Sequence, residues 1–437
     1  MLPLISDSGI RRTRRLSWAP SGWLVTGTTI GTDTDFVTLT CPDDFVAIRV
    51  GFANINPASY SITKVVAAAS STLGDCANPS DGAVWRTLTF LNKGTARDVV
   101  VAGCEAPTEI TVYGNLPDPA AGHIGGPRWT WTDWNPLTSM PRTDLPGAPR
   151  IAMIRVLLPS GCRHTRPNGG FHEYHRRPEI NRGFAYVAGH VPADMVTLPS
   201  HIQAYSACMG HTNVPVSCVQ FLTKKPGVIG MVAGDSHHQG TSTTTQFWNY
   251  LLQSTVELGV RHLGDIPFGY WSTAQGGADS QSFFNALANV LPVAQPSFVV
   301  LPGWTYNDLS DSVHADRLAD DIFFARLLMA AETCVHQGAT PIFLTPFPRD
   351  LGGMTSVQVQ PWRGLRASIL TLRQIGAIVI DATQLLGHTL NGQFDGTYLS
   401  QYSNDHAHPN DLGHAAIANE LTPIIERLCG LSSSTNL

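Results

Sequence analysis

After residue 225 the sequence alternates between short apolar runs and stretches with the apolar periodicity of helices. The apolar runs are "VIGMVAG", "PSFVVLPG", "TPIFLTPF" and "AIVIDAT". Uninterrupted apolar strands that alternate with amphipathic helices are typical of a parallel sheet covered on both faces. We therefore predict an α/β fold here, with later helices over roughly 358–376 and 410–429. Ligands of such sheets bind at the carboxyl ends of the strands.

Before residue 225 the pattern is different. Short β-branched runs such as "DFVTLTC" and "RIAMIRVLL" alternate with turn residues, and long helical patterns are absent. This pattern predicts an all-β sandwich. A chain of 437 residues is long enough for more than one domain. We predict a β-sandwich-like accessory domain over 1–225 and an α/β domain over 226–437.

Charge and composition exclude some classes of function. A formal net charge of −5 argues against a general binder of nucleic acid or anionic membranes, because both need a basic surface. No segment approaches the roughly 20 apolar residues of a membrane span. The basic cluster "RRTRR" at 11–15 is expected to be a solvated arm. No apolar segment follows it, so no signal peptide is predicted. Localisation stays open, with export after removal of a signal as one alternative.

The chain has eight cysteines and no C-x-x-C pair, which argues against a zinc ribbon or a thioredoxin motif. Two alternatives stay open for them. In an exported protein, disulfides such as Cys76 with Cys104 or Cys208 with Cys218 could form. Otherwise the cysteines are buried free thiols. We expect neither a metal ion nor an organic cofactor.

A serine stands at the end of the first apolar run, in "GDSHHQG". Ser236 is either a nucleophile or part of an ordinary strand-to-helix turn. A serine hydroxyl is a weak nucleophile and needs a neighbouring base. Near the carboxyl terminus, "DHAHPN" places Asp405 and His408 three residues apart just before a helix. One short loop can therefore deliver a base together with the carboxylate that orients it.

Two further motifs can stabilise an oxyanion. "AQGGADS" holds Gly276 and Gly277 before a helix start, where a backbone N–H can approach a developing negative charge. "GWTYND" holds Asn307, whose side-chain amide can donate to the same oxygen. Each motif alone is a weak signal, but all four follow apolar runs in order.

Together the four motifs resemble the GDSL-type, or SGNH, hydrolase family over roughly residues 226–430. The resemblance implies a flavodoxin-like three-layer α/β/α domain that needs no cofactor. By position it implies Ser236 as nucleophile, His408 as general base and Asp405 as the partner that orients His408. It also implies an oxyanion hole made by the N–H groups of Ser236 and Gly277 and the amide of Asn307.

Two details of the motif match concern the choice of glycine and the spacing before the asparagine. Gly277 fits better than Gly276, because the apolar Phe283 and Phe284 then fall at the family's usual helix offset. The gap between Gly303 and Asn307 is longer than the family's, with residues 304–306 between them.

A second D-x-x-H pair, Asp411 and His414, falls within the apolar periodicity of the last helix. It is predicted to cap or pack that helix. Asp235 is assigned a structural hydrogen-bonding role, because an adjacent residue cannot easily reach the far nitrogen of the base. His237 and His238 are expected to be solvated turn residues, with pocket lining or metal binding as the alternative. Three tryptophans are expected to pack, with stacking on sugars as the alternative: Trp129, Trp131 and Trp134.

The predicted function is that of a serine ester hydrolase acting through an acyl-enzyme. The resemblance, with a β-rich region before the motifs, implies a small acyl group, above all acetyl, on a carbohydrate. The alternative is a short-chain carboxylesterase or lipase-like enzyme on lipid or aryl esters, although the sequence has no obvious long apolar lid. A third hypothesis, a glycan-binding protein with an inactive α/β domain, conflicts with the complete Ser, Gly, Asn, Asp and His set. The expected partner is a small or carbohydrate ester, and the oligomeric state stays open.

Overall fold

The computed structural model describes residues 10–19, 24–29, 32–54, 58–72, 82–90, 99–101, 128–167, 186–191, 196, 214–244, 248–308, 320–349 and 356–431. The strands are β1 (Thr13–Ala19), β2 (Leu24–Thr28), β3 (Asp33–Cys41), β4 (Phe45–Asn54), β5 (Tyr60–Ile62), β6 (Lys64–Ser70), β7 (Arg86–Thr87), β8 (Val99–Val101), β9 (Arg128–Trp131), β10 (Asn135–Pro136), β11 (Arg150–Leu158), β12 (Arg163–Pro167), β13 (Tyr186–Val191), β14 (Val216–Val232), β15 (Phe268–Ser272), β16 (Phe298–Leu301), β17 (Thr340–Leu344), β18 (Ile378–Ile380), β19 (Gly387–Leu390) and β20 (Gln393–Tyr398). The α-helices are α1 (Ser236–Gln239), α2 (Tyr250–Arg261), α3 (Ser280–Ala294), α4 (Asp320–His336), α5 (Ser356–Thr371), α6 (Ala382–Leu386) and α7 (Asp411–Leu428). Short 3₁₀ turns cover Tyr306–Asp308, Leu372–Ile375 and Ser400–Tyr402.

The carboxyl-terminal half is built on a parallel sheet with the strand order β15-β14-β16-β17-β18. Numbered along the chain from β14, this order is 2-1-3-4-5, which is flavodoxin-like. The prediction of an α/β fold with a parallel sheet is confirmed.

Helices cover both faces of this sheet. Successive strand residues point to opposite faces, so Val300 joins one hydrophobic cluster and Val299 joins another. Helices α2 and α7 contribute to the first cluster, through Leu251 and Ile417 among others. Helices α3, α4 and α5 contribute to the second cluster. The result is three layers, helix on sheet on helix.

The helices predicted near the carboxyl terminus agree well with those observed. The stretch 410–429 is helix Asp411–Leu428, and 358–376 is helix Ser356–Thr371 followed by the 3₁₀ turn Leu372–Ile375. None of the helices within the described ranges is long and apolar enough to cross a membrane.

Strand β14 joins the two halves of the chain. Up to Gly227 it pairs antiparallel with β1, and over Val216–Thr223 it pairs antiparallel with β4. From Val228 it pairs in parallel with β15. Pro226, which has no N–H to donate, lies where the partners change. The predicted boundary after residue 225 therefore falls inside one continuous strand, and the division into two domains stays a prediction.

A second sheet, entirely antiparallel, lies in the amino-terminal half in the order β13-β3-β11-β6-β7. Val37 and Ile154 from this sheet belong to the same hydrophobic cluster as Val50 of β4 and Phe221 of β14. The sandwich predicted over 1–225 stays a prediction, because much of that range lies outside the described residues.

The basic residues at 11–15 are solvated in part, as expected, since Arg12, Arg14 and Arg15 are exposed. The segment is not a free arm, because strand β1 begins at Thr13. The guanidinium groups of Arg11 and Arg12 donate to the carbonyl oxygens of Gln337 (2.9 Å) and Cys429 (2.6 Å). These carbonyls lie at the ends of α4 and α7, where helices leave acceptors without intrahelical partners. Arg11 and Arg12 therefore dock on helix ends.

Five described cysteines are buried free thiols: Cys41, Cys162, Cys218, Cys334 and Cys429. For these five the free-thiol alternative applies. Cys76, Cys104 and Cys208 lie outside the described residues, so the disulfides suggested for them stay predictions.

The tryptophans of "RWTWTDW" pack against other side chains. Trp129 and Trp131 stack with ring centroids 5.5 Å apart, and the guanidinium carbon of Arg49 lies 4.7 Å from Trp131 and 4.9 Å from Trp134. Trp129 also meets the buried Trp271 edge-on at 5.6 Å. These contacts fit the packing interpretation.

A close backbone contact holds together two loops at the carboxyl edge of the parallel sheet. A Cβ atom at Gly303 would lie 2.3 Å from the carbonyl carbon of Thr345 and 2.4 Å from the nitrogen of Pro346. Any larger residue at 303 would push the loops after β16 and β17 apart. The glycine thus places the segment 304–308 beside the segment 345–349.

Candidate active site

Ser236 lies at the carboxyl end of the central strand β14 and is the first residue of helix α1. Asp235 caps this helix, accepting the backbone N–H of His237 at 3.0 Å. Gly234 has φ +141°, and a Cβ there would lie 2.5 Å from the ring of His238. The glycine of the "GDS" motif is therefore required by the backbone conformation and by the packing of the turn. The serine hydroxyl sits at the edge where ligands bind in such sheets.

The loop before α7 brings a histidine to this serine. Nε2 of His408 lies 2.9 Å from Oγ of Ser236, although 172 positions separate the two residues. Nδ1 of the same ring lies 2.8 Å from Oδ2 of Asp405. The structure thus brings together the serine, histidine and aspartate that the sequence singled out.

The Asp405 carboxylate is held by four hydrogen-bond donors besides the imidazole. Oδ1 accepts the backbone N–H groups of Ala407 (2.9 Å) and His408 (2.8 Å) and the Ser403 hydroxyl at 3.3 Å. Oδ2 accepts the hydroxyl of Ser242 at 2.6 Å. Partial burial alone would raise the pKa of Asp405, but these hydrogen bonds outweigh it and hold the pKa well below its usual range. Asp405 is therefore an anion at neutral pH.

The environment of His408 favours its neutral form. Burial is the main cause that lowers its pKa, and the nearby imidazole of His237 adds to it, while Asp405 acts in the opposite direction. A carboxylate at Nδ1 fixes the proton on that nitrogen, so Nε2 is left as an acceptor facing the serine hydroxyl. The imidazole is therefore arranged to receive a proton from Ser236.

A second carboxylate, Asp235, lies fully buried beneath the serine. Its oxygens contact Nδ1 of His237 (3.1 Å) and Nδ1 of His238 (3.2 Å), and they accept the hydroxyl of Thr305 at 2.6 Å. Burial would raise the pKa of Asp235, but the two histidines hold it well below its usual range. The predicted structural hydrogen-bonding role agrees with these contacts.

The expectation that His237 and His238 are solvated turn residues is wrong. Their side chains are 3% and 2% exposed, and the ring of His238 stacks on Phe347 with centroids 4.7 Å apart. The physical reason is the buried Asp235, which needs donors that the backbone alone does not supply. Among the described residues, no group of His, Cys, Asp or Glu is arranged to hold a metal ion.

Asn307 lies on the loop after β16. Its side-chain amide nitrogen donates to the carbonyl oxygen of Ala278 at 2.9 Å and lies 3.2 Å from the Thr305 hydroxyl. The neighbouring Asp308 accepts the backbone N–H of Ser280, the first residue of α3, at 3.2 Å, and burial raises the pKa of Asp308 to about 7. These contacts join the asparagine motif to the glycine motif.

Gly277 is exposed, has φ +77° and lies in the turn that precedes α3. Nothing lies within 4 Å of the position of a Cβ at this residue. The turn is fixed to the serine motif by the Gln275 N–H, which donates to the carbonyl oxygen of Gly234 at 3.0 Å. Gly277 is therefore an exposed turn residue two positions after this contact.

The three residues between Gly303 and Asn307 each make a defined contact. The indole N–H of Trp304 donates to the carbonyl oxygen of Phe347 at 3.2 Å, and Thr305 donates to Asp235. The ring of Tyr306 lies 3.4 Å from the guanidinium carbon of Arg349. These three residues thus tie the asparagine loop both to the serine motif and to the loop after β17.

Sequence reasoning missed Ser242 and Arg349. Ser242 lies just after α1, and no residue pattern announces its contact with Asp405, which is 163 positions away. Arg349 follows the apolar run "TPIFLTPF", so its position after a strand of the parallel sheet was the available signal.

The second D-x-x-H pair, Asp411 and His414, belongs to α7. His414 is fully buried and stacks on Tyr250 with centroids 5.9 Å apart, and burial lowers its pKa to about 3. Asp411, in the first turn of the helix, accepts the backbone N–H of Thr244 at 3.2 Å. The prediction that this pair packs the helix agrees with these contacts.

Comparisons with known proteins give weak similarities. The chain matches no protein-family model and no curated protein. Among solved structures it is similar to a variant of Axe2, an acetyl-xylooligosaccharide esterase from Geobacillus Stearmophilus, at 14% identity and TM-score 0.36 over 48% of this chain and 98% of that chain. It is similar to a GDSL-like lipase from Bacteroides thetaiotaomicron, at 15% identity and TM-score 0.36 over 46% and 88%. It is also similar to a lipase/acylhydrolase from Enterococcus faecalis, at 13% identity and TM-score 0.35 over 46% and 96%. Similarities at this level assign no activity to the chain.

We predict that His408 titrates below the ordinary histidine value of 6.5, since burial and His237 disfavour the imidazolium. Asp405→Asn removes the negative charge that raises this pKa, so His408 should titrate lower still. NMR of the His408 ring between about pH 3 and pH 8 measures both values. Asp395→Asn is the matched control, because it removes a carboxylate 2.7 Å from a different histidine, His388. A rise in the His408 pKa on Asp405→Asn would contradict the electrostatic interpretation.

Proposed function

We propose that this protein is a serine ester hydrolase that works through an acyl-enzyme. The observation that supports the proposal most is the 2.9 Å separation between Nε2 of His408 and Oγ of Ser236, with Asp405 at the other ring nitrogen. A base within hydrogen-bond reach of a hydroxyl, itself oriented by a carboxylate, is the arrangement that activates a serine. The four motifs that resemble GDSL-type hydrolases supply the same residues.

In the first half of the reaction, Oγ of Ser236 attacks the ester carbonyl carbon while Nε2 of His408 takes the hydroxyl proton. A tetrahedral intermediate forms, with negative charge on the former carbonyl oxygen. The carbon–oxygen bond to the alcohol then breaks, and the imidazolium gives its proton to the departing alcohol. Asp405 stabilises the imidazolium and keeps its ring oriented, without itself being protonated.

In the second half, water attacks the acyl-enzyme. His408 removes a proton from the water, a second tetrahedral intermediate forms, and the acid is released as Ser236 recovers its proton. Each proton moves between the imidazole and an oxygen at the reacting carbon. The reaction written this way needs no metal ion or organic cofactor.

We propose that the oxyanion is stabilised by the N–H groups of Ser236 and Gly277 and by the Asn307 amide. The N–H of Ser236 belongs to the first turn of α1, where backbone donors have no intrahelical partner. The Asn307 amide carries two hydrogens, and its contact with Thr305 is longer than that with Ala278. On substrate binding, the hydrogen facing Thr305 would turn to the oxyanion.

For the substrate we propose a small acyl group, acetyl above all, on a carbohydrate. This part rests on the motif resemblance together with the β-rich amino-terminal half. The alternative, a short-chain carboxylesterase or lipase-like enzyme on lipid or aryl esters, is distinguished by acyl-chain length and by activity on a polymer.

Hydrolysis of p-nitrophenyl acetate, butyrate and octanoate tests the reaction, with acetylated xylan alongside. We expect wild-type activity to fall steeply with acyl length, with acetate released from the polymer, and Ser236→Ala to be inactive on every substrate. A preference for octanoate without release of acetate would replace the carbohydrate deacetylase with the lipid or aryl esterase. Turnover in Ser236→Ala equal to that of the wild type would exclude the serine mechanism altogether.

Asn307→Ala tests the oxyanion hole. Loss of one preorganised donor should lower kcat on p-nitrophenyl acetate by about 10²–10³-fold with little change in KM, since the donor acts in the transition state. Asn289→Ala, which truncates an exposed asparagine on α3, is the matched control and should keep the wild-type kcat. Near-normal turnover in a folded Asn307→Ala protein would remove Asn307 from the oxyanion hole.

A further inference from the structure

Arg349 brings a positive charge to the loop that follows β17. Its guanidinium carbon lies 3.4 Å from the centroid of the Tyr306 ring, one residue before Asn307. A guanidinium over an aromatic face is held by the negative potential of the ring and keeps its edge donors available. The ring thus fixes the plane of the cation.

The backbone that carries Arg349 is held on both sides. The carbonyl oxygen of Phe347 accepts two indole N–H groups, from Trp304 at 3.2 Å and Trp362 at 2.9 Å. The N–H of Arg349 itself donates to the carbonyl oxygen of Gly396 at 2.7 Å. The cation is therefore presented from a fixed backbone.

Within the described part of the chain, the Arg349 guanidinium has neither a hydrogen-bond acceptor nor an ion-pair partner, and its Nε is buried. Two other buried or partly buried arginines of this protein are each paired with a carboxylate. Arg142 meets Asp144 with two hydrogen bonds of 2.6 and 2.7 Å, and Arg366 meets Asp381 with two of 3.1 and 2.6 Å. A partly buried guanidinium without a partner costs free energy, unless a ligand supplies the acceptor.

The two carboxylates of the serine site, Asp235 and Asp405, act electrostatically on Arg349. Burial lowers its pKa, while the negative charges of Asp235 and Asp405 raise it, so both carboxylates of the serine site act on this cation. Neither carboxylate pairs with it, since each is engaged by the donors described above. Among the described residues, the positive charge over Tyr306 thus has no paired anion, and an anionic ligand would supply one.

We propose that Arg349 binds a carboxylate of the ester substrate, so that the site selects anionic over neutral esters. The guanidinium fork matches the two oxygens of a carboxylate, as in the Arg142 and Arg366 pairs of this protein. This inference rests on the proposed ester hydrolysis and narrows its substrate to esters with an acidic group near the scissile bond, as on an acidic sugar.

The test compares 4-acetoxybenzoate with its neutral methyl ester, and mono-p-nitrophenyl succinate with p-nitrophenyl butyrate. The first pair carries the anion on the alcohol side, and the second carries it on the acyl side. The measured quantity is the ratio of kcat/KM for the anionic ester to that for its neutral partner. We expect Arg349→Gln to lower this ratio about 10- to 100-fold on one pair, the range of a lost charge-assisted hydrogen bond. The pair affected identifies the side of the ester that carries the anion.

Two further variants sharpen the test. Arg349→Lys keeps the charge but loses the fork, so its ratio should fall between those of the wild type and Arg349→Gln. Arg427→Gln removes an exposed cation from the last turn of α7 and should leave both ratios at the wild-type value. Equal ratios in wild type and Arg349→Gln on both pairs would overturn the inference.

Binding without turnover separates this inference from the proposed function. The Ser236→Ala protein is titrated calorimetrically with 4-acetoxybenzoate and with mono-p-nitrophenyl succinate. We expect it to bind one of the two anions. The double variant Ser236→Ala, Arg349→Gln should not bind that anion. If Arg349→Gln removes the binding but the wild-type protein hydrolyses no ester, the proposed ester hydrolysis is contradicted and the proposed anion binding by Arg349 is supported. Hydrolysis that depends on Ser236, with binding of both anions unaltered in the double variant, would overturn anion recognition and leave ester hydrolysis standing.

Discussion

The buried carboxylate of Asp235 is the constraint on which the candidate site depends. A carboxylate without access to water must be surrounded by donors, and Asp235 obtains them from two parts of the chain, α1 and the loop after β16. The start of α1 donates a backbone N–H, His237 and His238 present Nδ1, and Thr305 donates its hydroxyl. Since Thr305 belongs to the loop that carries Asn307, one anion fixes the serine turn and the asparagine loop relative to each other.

The catalytic proposal adds a second carboxylate with a different task. Asp405 lies at the surface, 42% exposed, and is kept anionic by donors from its own loop and from Ser242. Asp235 organises the strand end beneath the serine, whereas Asp405 orients the base beside it. Burial and the imidazole of His237 lower the pKa of His408, whereas the two carboxylates raise it, and the balance favours the neutral imidazole. The site can therefore hold a proton acceptor next to Ser236 at neutral pH.

The sequence predicted what depends on local pattern. The parallel strands, the last helix and the four motifs follow from apolar periodicity and from short spacings, and helix Asp411–Leu428 matches its predicted range within a residue at each end. Burial of His237 and His238 could not be predicted, because it depends on Asp235 and on contacts from the loops after β16 and β17, where Thr305 and Phe347 lie. For the same reason Ser242 and Arg349 gave no motif, since their partners lie on other loops. The sequence also did not predict that β14 continues through residue 225. The composition changes at that point, but a single strand pairs with β1 before it and with β15 after it.

Covalent labelling of Ser236 tests the central claim most directly. A fluorophosphonate reacts with an activated serine as Oγ attacks phosphorus, fluoride leaves and the proton passes to the base. Peptide mapping by mass spectrometry should find one phosphonyl group, on Ser236, and its rate of formation should fall by about 10²–10⁴-fold in His408→Ala, the usual contribution of a general base. Labelling at another residue, or an equal rate in His408→Ala, would contradict a serine activated by His408.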